Sequence, residues 1–369
     1  MNSIQNFLVK KELTKPIEFN KTYLAKEELE AVLDCLLEDR ITTETITEKF
    51  EKLFSETLNF KYAIAVNSKT SAYHLAFSTL ARKNSTVWLM NLSSINALDA
   101  ARYLGLSIQL IEIDKNSFFP SKDFLNELIL KEMQEGDIFV ADYIYGAYYS
   151  FPFELLEEKK VHVIEDITGI LGYQIGMEEN SSISIGTYSQ IQICGLYEDD
   201  IITTGKGALL LTHSKPLHKE IEETCYGKHR NLTKIAYDYV LADFQSAMGI
   251  HQLNKIGSLV SRRKKIGQKY VETIKNTDHE TYFNHLLLDN YHRFPVVFDK
   301  NQEEIIRYFR SLKIEVQKIP LPLHKYLGHA SSEFPNSERL YKKSLCMPIY
   351  PILTSSNVER IASSIRNIL

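Results

Sequence analysis

Three polar residues of complementary chemistry follow short apolar runs at the same relative place. Lys69 follows Tyr62-Ala63-Ile64-Ala65-Val66, Ser94 follows Thr86-Val87-Trp88-Leu89-Met90, and Asp166 closes the run that begins Val161-His162-Val163-Ile164. An ammonium, a hydroxyl and a carboxylate gathered at the carboxyl ends of parallel strands stand where such sheets take their ligands. His74 and His324 add two imidazoles with the chemistry to touch a ligand. Glu198-Asp199-Asp200 is a run of acids that would repel a phosphate unless basic side chains intervene. Cys194 precedes that run with no histidine near it in sequence, which favours a buried, inert thiol over a nucleophile.

The elements that must position these groups alternate. Leu29, Val32, Leu33, Leu36 and Leu37 sit at helical spacing over 26–39, and Phe50, Leu53 and Phe54 over 45–58. Strands are predicted at 62–66, 86–90, 108–113, 137–141 and 161–164, with helices at 94–104 and 121–134 and a further one after Lys69 carrying Ala72, Leu75, Ala76 and Leu80. Apolar runs separated by helices, rather than by tight turns, predict an α/β fold with a mainly parallel sheet covered on both faces. A long helix from about 242 leads into a smaller α+β lobe with a strand at 293–298 and helices at 302–312 and 356–368. The division expected is a large domain over 1–245 and a small C-terminal domain over 246–369.

Composition narrows the class. Lys+Arg at 43 against Asp+Glu at 47 gives a net charge of -4, which carries no nucleic-acid footprint. The basic run at 262–265 reads as a solvated helix face. Four cysteines, Cys35, Cys194, Cys225 and Cys346, are too scattered for a disulfide framework or a zinc site, so no metal is expected. No apolar run reaches the length of a membrane span, and the first residues lack a signal peptide's apolar core. A cytoplasmic protein without membrane contact is the expectation.

Several segments, in order, resemble the DegT/DnrJ/EryC1/StrS family of sugar aminotransferases. Arg40-Ile41-Thr42-Thr43-Glu44 with Phe50-Glu51 is similar to its W-L-T-T-G…F-E entry, and Val66 to Ala76 to V-S-S-G-T-A-A-L-H-L-A. Val163-Ile164-Glu165-Asp166 resembles V-I-E-D, Thr203-Thr204-Gly205 resembles T-T-G-E-G-G, and Leu241 to Gly249 resembles L-T-D-L-Q-A-A-L-G. Pro335-Asn336-Ser337-Glu338 and Met347 to Pro351 resemble P-N-A-E and L-P-L-Y-P. The resemblance implies the fold-type I aminotransferase architecture, pyridoxal phosphate (PLP) as family cofactor, and a dimer with shared active sites.

It also implies a lysine that the chain does not place. The family writes S-F-x-x-x-K-x-x-T-T-G-E-G-G, with the lysine as Schiff-base residue. Counting on from Ser189 reaches Cys194, and counting back from Gly205 reaches Asp200, so the loop reads as six residues longer; no lysine occurs between Lys160 and Lys206. Asp166, Ser189 and Thr70 match the aspartate on the ring nitrogen and two phosphate contacts. Ser94 falls where an aromatic should stack on the ring, Gly169 where a glutamine is expected, and Lys69 at the phosphate-cradling glycine. Asp238 replaces the asparagine that reaches the partner's phosphate, and Val240 an arginine. His74 and His324 also match family positions. By that geometry Lys69 of one subunit would meet Asp238 of the other.

The expectation is therefore a degenerate homologue of nucleotide-sugar aminotransferases with no cofactor, acting as a binding or partner subunit in amino-sugar or polysaccharide biosynthesis. It would be a homodimer or a heterodimer with an active paralogue, with a nucleotide sugar as possible ligand. Two alternatives stand beside it: an active aminotransferase with Lys206 as relocated lysine, and a PLP-independent reaction in the same cleft through Asp166, His74 or His324.

Overall fold

The computed structural model describes residues 15–39, 42, 45–173, 186, 188–225, 235–283, 285 and 288–368. The segment Arg40 to Glu44 therefore lies outside the described residues, apart from Thr42.

The chain opens with α1 (Lys26–Leu37) and α2 (Thr45–Thr57), and then alternates: β1 (Tyr62–Val66), α3 (Lys69–Leu80), β2 (Thr86–Met90), α4 (Ile95–Tyr103), β3 (Ser107–Ile111) and α5 (Lys122–Lys131). It continues through β4 (Ile138–Asp142), α6 (Phe153–Glu158), β5 (His162–Asp166), β6 (Ile191–Gly195), β7 (Ala208–Thr212) and α7 (Lys215–Cys225). The order of the large sheet is β1-β7-β6-β5-β4-β2-β3, and only β7 runs antiparallel to its neighbours. The mainly parallel sheet predicted from the apolar runs is thus present.

Both faces of that sheet are buried, which is why its strands read as continuous apolar runs. Successive side chains point to opposite faces. Ala63, Trp88, Phe139, Val163 and Leu209 face one apolar cluster, while Ile64, Val87, Ile138, Ile164 and Ile193 face another, beneath α3 and α4. This alternation also separates two adjacent acids, Glu165 and Asp166, onto opposite faces.

The helix predicted from about 242 is two helices, α8 (Asp243–Asn254) and α9 (Ile256–Ile274), meeting at Lys255. The remaining elements are β8 (Phe294–Val297), α10 (Gln302–Ser311), β9 (Gln317–Lys318), α11 (Leu323–Leu327), α12 (Pro335–Lys343), β10 (Ser344–Met347) and α13 (Ser355–Arg366). The strands β8-β10-β9 make a second, antiparallel sheet. No helix among the described residues is long and apolar enough to cross a membrane.

α1 departs from its amphipathic reading. Its side towards α8 buries Glu28 and Cys35, and the Glu28 carboxylate accepts from Lys255 Nζ at 2.9 Å and Gln252 Nε2 at 2.9 Å. Leu29, Leu33, Leu36 and Leu37 face outward, at 60%, 53%, 49% and 73% exposure. Their stripe covers no core among the described residues.

One close approach fixes how α9 meets the C-terminal lobe. A Cβ on Gly267 would fall 2.2 Å from Cγ of the buried Tyr291 ring. Gly267→Ala should therefore destabilise the fold by about 1–3 kcal/mol through overpacking. Urea unfolding followed by tryptophan fluorescence measures it, and an unchanged midpoint would mean that the Tyr291 ring gives way freely.

Candidate active site

The cleft lies at the carboxyl ends of β2, β4 and β5 and has a volume of about 220 Å³. Lys69, Ser94, Asp142, Tyr145, Tyr197, Asp200, His292 and Arg293 are among the residues that line it. Lys69 stands at the first position of α3 because Ser68 caps the helix, its hydroxyl accepting from the Ser71 N–H. The Lys69 side chain does not turn to solvent. It runs across the cleft to place Nζ 2.8 Å from Asp166 Oδ2, at the end of β5.

Asp166 is wholly buried and fully bonded. Tyr73, one turn after Lys69 on α3, donates its hydroxyl to Oδ2 at 2.6 Å, and the Thr168 N–H donates to Oδ1 at 3.0 Å. Burial alone would raise its pKa, but the Lys69 ammonium beside it holds it below the ordinary carboxylate range. The converse holds for Lys69: burial would lower it, and Asp166, Asp200 and Asp142 together hold it above the usual lysine value. The pair is locked in its charged form.

Asp142 and Asp200 complete the acidic surroundings. Asp142 accepts from the Ser94 N–H at 3.1 Å, and burial, reinforced by the Asp166 charge, pushes its carboxyl up to about 7. Asp200 accepts from the Tyr197 N–H at 2.7 Å and lies 3.2 Å from His292 Nε2. Asp199 pairs with Arg293, so basic side chains do intervene at the acid run. Asn20 and Thr22 both donate to the Glu198 carbonyl and tie this loop to the start of the chain.

The structure redistributes the residues singled out from sequence. Lys69, Ser94, Asp166 and Asp200 come together in or directly behind the cleft. Ser189 does not: it precedes β6 and donates to Glu165, which faces away from Asp166. Cys194 likewise shares the face of Leu209 and is buried, its thiol pushed well up by burial. Gly195, one residue on, returns to the Asp166 face, and a Cβ there would lie 2.7 Å from Asp200 Oδ2 and 2.9 Å from Lys69 Cδ. Counting the S-F-x-x-x-K spacing back from Asp200 reaches Gly195, which faces Asp166 but carries no hydroxyl.

The other candidates are structural. His74 is buried, edge-on to the rings of Tyr237 and Tyr239, and burial lowers its pKa. His324 is buried between Asn91, 2.9 Å from Nδ1, and Glu338, 3.3 Å from Nε2, with its ring stacked on Phe334. Neither lines the cleft. Thr70 donates to Asn96 Oδ1 at 2.8 Å. Lys206 is exposed and lies outside the cleft lining. Asp238 is exposed, and Lys69 is paired with Asp166 of its own chain. Gly169 has a steric reason: a Cβ there would meet the Tyr143 carbonyl at 2.7 Å and the Gly146 nitrogen at 2.8 Å.

Asp142, Tyr197, His292 and Arg293 escaped the sequence reading. Asp142 ends an apolar strand as Asp166 does, and that parallel was the available signal; nothing local marks the other three.

Residues 22–366 match the family described as DegT/DnrJ/EryC1/StrS aminotransferases. The chain belongs to this family. Among its relatives are the uncharacterized protein MJ1066 of Methanocaldococcus jannaschii, 27% identical over 94% of this chain and 96% of the relative. Another is the UDP-4-amino-4,6-dideoxy-N-acetyl-beta-L-altrosamine transaminase of Campylobacter jejuni, 23% identical over 96% and 97%. The fold is similar to that of Helicobacter pylori PseC, an aminotransferase of pseudoaminic acid biosynthesis, with a TM-score of 0.81 at 20% identity over 95% and 98% of the two chains. It is similar also to the sugar aminotransferase CalS13 of Micromonospora echinospora, at 0.81 and 16% identity over 96% and 100%. The fold-type I architecture expected from the motifs is therefore that of the family.

The Asp142 carboxyl sets a pH dependence. Its folded value of about 7 lies above the ordinary 3.8, so between these values the folded chain binds more protons than the unfolded one. Its contribution to stability thus falls as pH rises from about 4 to about 7, by on the order of 1–4 kcal/mol. Asp142→Asn should flatten this decline in urea midpoints across that range, whereas an identical slope in the variant would contradict the assignment.

Proposed function

We propose that this chain is a degenerate homologue of the nucleotide-sugar aminotransferases, without a covalently held cofactor, acting as a binding or partner subunit in amino-sugar or polysaccharide biosynthesis. The observation that carries the reading is Asp200. It stands five residues before Gly205, where the family motif has its lysine, and its carboxylate is held by the Tyr197 N–H and His292.

The surrounding residues do not fit pyridoxal phosphate. Asp166, which would pair with the ring nitrogen, is saturated by Lys69, Tyr73 and the Thr168 N–H. At the start of α3 the Lys69 N–H donates to Tyr197 Oη at 3.2 Å, and the Thr70 hydroxyl is turned to Asn96. Gly195 offers no hydroxyl, and the space before it is filled. Lys206 is remote from the lining, and Lys69 is held protonated, which removes the lone pair a nucleophile needs.

What remains is the cleft and an outer surface. Relatives named as UDP-sugar transaminase and GDP-perosamine synthase make a nucleotide-linked sugar the ligand class to test. The outward leucines of α1 support a partner role, since exposed apolar stripes mark interaction surfaces. That partner is a second copy of the chain or an active paralogue. A second reading, a PLP-independent proton transfer on a nucleotide sugar, draws on the His292–Asp200 pair and Asp142, which line the same cleft.

Protein incubated with pyridoxal phosphate should show no absorbance beyond that of free cofactor and no mass gain after borohydride. A reduced adduct on Lys206 or Lys69 would overturn the reading. In sedimentation equilibrium, Leu29→Glu with Leu33→Glu should shift a dimer towards monomer; a wild-type protein that sediments as a monomer would withdraw the homodimer, leaving the paralogue to be tested by co-purification.

A further inference from the structure

We infer that the carboxylate at the end of β5 is a cation site closed from within, and that Lys69 is its permanent occupant, the tethered equivalent of a small alkylammonium ligand. The inference rests on the proposed absence of a cofactor from this cleft, and adds what fills its innermost part.

Asp166 presents a fully buried anion at the carboxyl edge of the sheet, with Asp142 and Asp200 adding negative charge around the same ammonium. Such a group needs a cation, because an unpaired buried carboxylate is strongly unfavourable. Lys69 supplies it at 2.8 Å, with only 12% of its side chain exposed. The fit is mutual. Gly195 leaves open the path that the lysine takes, since any side chain there would begin 2.9 Å from Lys69 Cδ. Tyr197 holds the other end of the residue by accepting the Lys69 N–H. Tyr73, on the same face of α3, shares Asp166 Oδ2 with the ammonium. A bulky residue at 195 and a lysine at 69 are incompatible in this arrangement, so the two positions act as a matched pair.

Truncation at Cβ would leave a space with the shape of Cγ, Cδ, Cε and Nζ, which is that of n-propylammonium. Lys69→Ala should therefore unfold at a lower temperature than wild type, and n-propylammonium chloride should raise its midpoint by several degrees in a saturable manner. Sodium chloride and tetramethylammonium chloride at equal ionic strength should not, and wild type should not respond to the amine. No saturable response in the variant, or an equal response in wild type, would overturn the inference.

A second measurement needs no variant. In wild type treated with acetic anhydride, Lys69 should be modified at least about tenfold more slowly than the exposed Lys206, because only the free amine reacts and Lys69 is kept protonated. Equal rates would overturn the inference even where Lys69→Ala does not fold. A cofactor adduct in wild type would bring down the proposed function; absent rescue in a protein that also takes up no cofactor would bring down this inference alone.

Discussion

The ion pair between Lys69 and Asp166 constrains everything at the carboxyl edge of the large sheet. A buried pair helps a fold only when its remaining hydrogen-bonding capacity is met, because each ion has lost its water. Here that condition is satisfied by residues from three places: Tyr73 one turn along α3, the Thr168 N–H just past β5, and the glycine at the end of β6 that leaves room for the lysine stem. Shifting any of the three would expose a charge to an apolar interior. The geometry of α3 relative to β5 and β6 is thus fixed by electrostatics as well as by the apolar cluster beneath it.

From that pair the constraint spreads to the acidic loop after β6. Asp200 lies close enough to Lys69 to help hold it charged, yet its carboxylate is also engaged by the Tyr197 N–H and His292. Arg293 takes Asp199, and the buried Arg263 of α9 donates to the His292 and Ile349 carbonyls. The loop therefore bridges the large sheet, α9 and the segment leading into β8. A run of three acids that reads as repulsive in isolation is, in three dimensions, part of an alternating charge network.

The fold separates the cleft from the core that supports it. The residues that line the cleft lie at strand ends, helix ends and loops along one edge of a rigid scaffold, so exchanges among them leave the sheet and its two apolar faces untouched. Gly169 illustrates the coupling: the chain at 143–146 packs so closely against it that no larger residue fits. The outward leucines of α1 show the opposite situation, in which apolar surface stays exposed.

The sequence alone determined the fold class, the strand order through β5 with the helices before β4, and the family, and it singled out Lys69, Ser94, Asp166 and Asp200. These follow from local periodicity and from motif spacing, which depend only on neighbouring residues. It missed α6, β6, β7 and the division of the 242–274 helix, because short buried elements and a break at Lys255 leave little local periodicity to read. Tertiary structure alone decided that Ser189 serves Glu165 while Gly195 faces Asp166, and that His74 and His324 are packed away from the cleft. It also decided that Lys69 pairs within its own chain, because the distance from the start of α3 to the end of β5 is set by the packing of the sheet and not by any local spacing.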